Sequence, residues 1–170
     1  MDKIARLDSS RFLVFSALLF AFLYAVIEYY FIRDPSFGLR PVLFSLVYPY
    51  HIIMAGIFLI TAYLISSRKR RLSRLPKAIL VIGLFSLMIV AEDFSWFLVR
   101  AIVPYDGAYS GKLIMNGEWT TQFMGSTDAY FTAIPNWYFV CLLFAAAAIT
   151  SLRVSIPNQK AVPAGYTRRF

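Results

Sequence analysis

Two adjacent carboxylates, Glu92 and Asp93, stand in Glu92-Asp93-Phe94-Ser95-Trp96-Phe97. The surrounding stretch, Lys77 to Pro104, is otherwise apolar enough to cross a bilayer. Glu28 and His51, the single histidine, lie in similar apolar runs. An ionisable side chain in the hydrocarbon costs at least ~2.5–3.5 kcal/mol, so it faces protein or a wet cavity and usually pairs. Several chemistries fit these residue types. Glu28, His51 and Glu92 or Asp93 could supply three or four O/N ligands to a metal such as Zn, Fe or Mn. One histidine is too few for a two-His facial triad, and falls short of the Glu-x-x-His pairs of di-iron bundles. The second chemistry is acid–base work on an apolar substrate. Glu92 and Asp93 would be acid or base and His51 base or ligand, because a carboxyl desolvated beside aromatic rings can keep a proton and donate it. Trp96, Arg100, Tyr48 and Asn136 would then bind the substrate, Arg100 as an anion clamp and Trp96 through its π face. Ion or proton translocation is a third use. A purely structural use stands beside them: a buried polar network that fixes helix register, with Tyr24, Tyr48 and Asn136 completing its hydrogen bonds.

Elements must position these groups, and composition says which kind. Hydrophobic residues make up 59% of the 170 and charged residues 15%, against roughly 45–50% and about 25% in soluble domains. The mean hydropathy is +0.64. The expected fold is all-α: an integral membrane four-helix bundle forming a single domain. The spans are 12–32, 42–65, 78–103 and 134–152. At ~1.5 Å per residue the first is long enough for the hydrocarbon core. A cleaved leader would have a shorter apolar region and a small-x-small site. Neither is evident, so the first span is expected to be retained. Pro49 should kink the second span. Ala145 to Ala148 should let the fourth approach a neighbour closely. Cys141 stands alone, which rules out an intramolecular disulfide.

Residues 104–133 form a long connection, expected as a non-cytoplasmic cap. Asn116-Gly117 between β-prone runs predicts a small β-hairpin there. Of the 17 lysines and arginines, 13 fall in the N-terminal lead-in, the basic loop 66–77 and the tail 153–170, and 4 on the other side. The positive-inside rule then puts both termini in the cytoplasm of a multi-pass cell-membrane protein. The net charge of +8 is explained by this distribution, and no nucleic-acid motif accompanies it. The expected partners are membrane lipid and either other membrane subunits or a second copy of the chain.

Topology converts the scattered polar residues into one constellation. Counted from the outer ends, Glu28 lies roughly 7 Å deep, His51 roughly 14 Å, and Glu92 and Asp93 roughly 10–12 Å. The inner half of the spans is nearly all apolar and offers no proton relay, which counts against translocation. Asp93, Trp96 and Arg100 share a stripe at i, i+3 and i+7. Glu92 stands about 100° round from Asp93, so the two point to different neighbours. Tyr24 shares a face with Glu28, and Tyr48 with His51.

With Glu92-Asp93-Phe94-Ser95-Trp96-Phe97 and Pro135-Asn136-Trp137-Tyr138, the chain resembles small polytopic membrane proteins carrying a Glu-Asp-x-x-Trp-Phe signature. That resemblance implies no particular activity. The same six residues are similar to the Pro-x-Glu-Glu/Asp-x-x-Phe motif of membrane carotenoid cyclases, with Val90 in place of the proline. This similarity implies only a class of chemistry, protonation of an apolar polyene by carboxyls. Two function classes therefore stand open: a membrane-embedded metal-binding or acid–base module, and a non-catalytic accessory subunit whose polar cluster is structural.

Overall fold

The computed structural model describes residues 2–31, 49–69, 72–103, 115, 121, 124–129 and 132–154, with backbone alone at 2–10, 31, 49 and 152–154. The chain is mostly helical. Its elements are α1 (Asp2–Phe31), α2 (Pro49–Ser67), α3 (Arg74–Ile102), β1 (Ser126–Asp128), β2 (Ala133–Pro135) and α4 (Asn136–Val154). Three helices are long and apolar enough to cross a membrane, over Arg11–Tyr30, Tyr50–Ser67 and Arg74–Ile102. Asn136–Ser151 is a shorter apolar helix.

Helices α1 and α2 each bury one stripe and leave large apolar side chains outside. On α1 the buried stripe is Leu13, Ala17, Ala21, Ala25 and Tyr29, and the three alanines are fully covered. Phe15, Phe22 and Ile27 point outward. A spacing of four keeps the alanines on one face, and their small size lets backbones approach. On α2 the stripe is His51, Met54, Phe58, Ala62 and Ser66. Helix α3 is the central element, packed against α1, α4 and α2. Leu80, Leu84 and Met88 join Leu13, Ala17, Met54 and Phe58 in one apolar cluster. The rings of Phe20 and Tyr24 meet Phe58 edge-on.

Side-chain contacts fix the helix directions. Arg68 lies over the Phe12 ring while Tyr24 meets Phe58, so α1 and α2 run opposite ways. Lys77 lies over Tyr63, close to the turn joining α2 to α3. Gly83 faces Ala145 and Ala148 while Asp93 meets Tyr138, so α3 and α4 are antiparallel. A Cβ on Gly83 would collide with that of Ala148. The alanine run on α4 is therefore a close-approach surface, as its composition predicts. Pro76 sits in the first turn of α3, where its missing N–H costs nothing.

Three sequence expectations need correction or fall outside the described residues. A small antiparallel hairpin is present, but at β1–β2, pairing Ser126 with Pro135, Thr127 with Ile134 and Asp128 with Ala133. The predicted turn at Asn116-Gly117 lies outside the described residues. The fourth helix begins at Asn136 rather than at residue 134, because Ile134 and Pro135 are spent on β2. Pro135 ends that strand, where a residue without an N–H is tolerated. Gly125 opens the hairpin with φ +72°, a value that glycine adopts without a Cβ penalty. Helix α2 is described from Pro49 onward, so the expected kink and residues 42–48 are outside the described residues.

Candidate functional site

Glu28, His51, Glu92 and Asp93 come from three helices and are all buried, at 4–9% exposure. Glu28 lies toward the C-terminal end of the α1 stripe, one turn beyond Ala25. Its carboxyl lies within hydrogen-bonding reach of Glu92 on α3 and of Tyr50 on α2. The Tyr24 hydroxyl lies in the electrostatic field of Glu28 and Glu92. Asp93 turns the other way and accepts a 2.5 Å hydrogen bond from the Tyr138 hydroxyl of α4. The offset of about 100° between successive residues sends Glu92 toward α1 and α2 and Asp93 toward α4. The halves remain coupled: Tyr50 senses Asp93 as well as Glu92, and Tyr138 senses Glu92 as well as Asp93. The result is a single network of three carboxyls and three tyrosine hydroxyls.

A hydrogen bond between two carboxyl groups has one physical requirement. An ionised carboxylate only accepts, so a bond between Glu28 and Glu92 requires a proton on one of them. The second oxygen of Glu28, Oε2, is buried and has no hydrogen-bond partner among the described residues. His51 follows Tyr50, and their rings lie 3.9 Å apart between centroids. It thus borders the network through Tyr50.

The outer wall is aromatic and carries one cation. The Arg100 guanidinium lies 4.8 Å from the ring centres of both Trp96 and Phe97. It is 3% exposed, a burial that strengthens a cation–π contact. Trp96 also meets the ring of Tyr29 edge-on, and the Tyr29 hydroxyl donates to the Val103 carbonyl at the end of α3. Val90, Phe97, Met115, Trp137 and Tyr138 form a second apolar cluster on the α4 side. Met115 is held over it by backbone bonds to the Thr132 and Thr121 hydroxyls.

The chain matches no family model, no curated protein and no solved structure. The reading therefore rests on the geometry.

Of the residues singled out in sequence, Glu28, His51, Glu92, Asp93, Trp96 and Arg100 are gathered at one end of the helices. Asn136 is not part of the network. It accepts from the Thr127 hydroxyl at 2.7 Å and donates to the Met124 carbonyl at 3.1 Å, stapling β1 to the start of α4. Tyr48 lies outside the described residues. Among the described residues no three His, Cys, Asp or Glu side chains converge as a metal would require. The arrangement thus gives no support to a Zn, Fe or Mn site on Glu28, His51, Glu92 and Asp93. Cys141 is half-buried against the second apolar cluster, as packing.

Two network members were not selected from the sequence, Tyr50 and Tyr138. Tyrosines near span ends ordinarily read as interfacial belt residues. The available signal was depth. Tyr50 adjoins His51, and Tyr138 opens α4 at the end from which the carboxylates are reached.

Proposed function

We propose that the chain is a four-span integral protein of the cell membrane, with both termini cytoplasmic, that carries an acid–base site for an apolar substrate in its outer half. Helix α4 makes the fourth crossing, and residues 104–133 cap the site on the non-cytoplasmic side. The distribution of lysine and arginine supports this orientation. The observation carrying the acid–base reading is the approach of two buried carboxyls, Glu28 and Glu92, because a proton shared between them is held inside apolar protein. A positioned proton donor is the core requirement of general acid catalysis. Glu92 and Glu28 exchange that proton, and Glu28 Oε2 is the acceptor left for a ligand. Tyr50 and Tyr24 orient the pair. Asp93 is fixed by Tyr138, and Trp96 with Arg100 forms the substrate wall.

A second reading draws on a different observation. Glu92 is directed to α1 and α2 and Asp93 to α4, so the polar groups are spent between helices. On this reading the network is a lock, and the chain is a non-catalytic accessory subunit of a larger membrane complex. Infrared spectroscopy of the reconstituted protein separates the two. The acid–base reading expects a protonated-carboxyl C=O band that shifts promptly in D2O and is lost in Glu28→Gln and Glu92→Gln. A band that does not respond to D2O leaves only the lock. A band that survives both substitutions removes the shared proton.

A further inference from the structure

The opposite end of the helices holds a concave surface. Where α2 approaches α3, Tyr63, Arg74, Lys77, Ala78, Val81 and Ile82 line a groove of about 430 Å³. Its chemistry is divided along its length. Arg74 and Lys77, one turn apart, place two cations at the mouth. Ala78, Val81 and Ile82 continue the same helix as an apolar floor, at the i, i+3 and i+4 spacing of a single face. Tyr63 forms the facing wall, and the Lys77 ammonium lies 4.8 Å from its ring centre. The mouth coincides with the first turn of α3. There the helix dipole favours an anion, and the Ser73 side chain makes no capping bond to the first amides.

Paired cations above an apolar channel, at the end of helices long enough to cross a bilayer, match one kind of molecule. We propose that this groove binds a single anionic glycerophospholipid, its phosphate between Arg74 and Lys77 and an acyl chain along Val81 and Ile82. The complementarity is local. Arg68 lies at the same end, but its guanidinium sits 5.2 Å from the centre of the Phe12 ring, outside the groove.

Native mass spectrometry of the full chain in detergent, titrated with phosphatidylglycerol or phosphatidylcholine, tests this. The expected result is one tightly held phosphatidylglycerol in preference to phosphatidylcholine. Arg74→Gln and Lys77→Gln should each weaken it about fivefold, the factor corresponding to ~1 kcal/mol per basic residue at an anionic surface. Ile82→Trp leaves the charge unchanged, fills the channel and should weaken binding as well. Lys77→Arg and Arg68→Gln should retain it. The proposal is overturned if Arg74→Gln with Lys77→Gln binds like the parent, if Arg68→Gln weakens binding equally, or if Ile82→Trp has no effect. Thermal melts of every variant identify any loss that comes from unfolding.

Discussion

Tyr138 and Tyr50 show what a hydroxyl does when it meets a carboxyl away from water. Each supplies a donor to a buried carboxyl. Leaving such a group unsatisfied costs about 1–3 kcal/mol. Tyr138→Phe removes the donor to Asp93 and keeps the ring among Val90, Phe97 and Met115. It should lower stability by about that amount, seen as an earlier thermal midpoint in detergent. Glu92→Gln keeps both a donor and an acceptor, so it should assemble normally while losing the shared proton. The carboxylates themselves were legible in the sequence, since charge within an apolar span is conspicuous. Their tyrosine partners were not, because the same residue type serves at span ends as an interfacial anchor. Which role a given tyrosine takes is decided by a face, and the face is set by neighbouring helices. Asn136 failed for the converse reason: its place near the outer end suggested the network, but the hairpin takes up its amide.

At the scale of elements, α3 is held on two sides by small residues. Gly83 meets Ala145 and Ala148 of α4, while the Ala17, Ala21 and Ala25 stripe lies on α1. Gly83→Ala should destabilise the chain by about 1–3 kcal/mol, the usual cost of overpacking. Ala148→Gly in the same chain should restore much of it, which a double-mutant cycle on thermal unfolding would measure. No restoration would mean that this crossing is not the tight one. The alanine run on α4 could be read directly as a close-approach surface. The α1 stripe carries an equally regular spacing, but its alanines are diluted among Phe, Leu and Tyr on the other faces, so only the packing identifies it. The hairpin was expected at Asn-Gly, on the strength of turn chemistry. That turn lies outside the described residues, and a hairpin is seen at β1–β2, where a positive-φ glycine and the Asn136 amide close the strands.

For the molecule as a whole, three membrane-length helices are present, and the polar network and the basic groove sit at opposite ends of the same helices. An accessibility tag at Asn116 should react from outside intact cells, and one at Lys160 only after permeabilisation. A cytoplasmic Asn116 would reverse the orientation and place the network on the inner side. The pairing of Glu28 with Glu92 also bears on how the chain is made. Glu92 follows Glu28 by 64 residues, which at 5–20 residues/s means roughly 3–13 s of synthesis. During that interval α1 and α2 exist without α3, and Tyr24 and Tyr50 are the network partners that have already been translated. A nascent chain halted after Lys69 should therefore insert α1 poorly and be degraded quickly, and Glu28→Gln should lengthen its lifetime in a pulse-chase measurement. The order in which the ribosome delivers partners is thus a burden carried by a single carboxyl in the first helix.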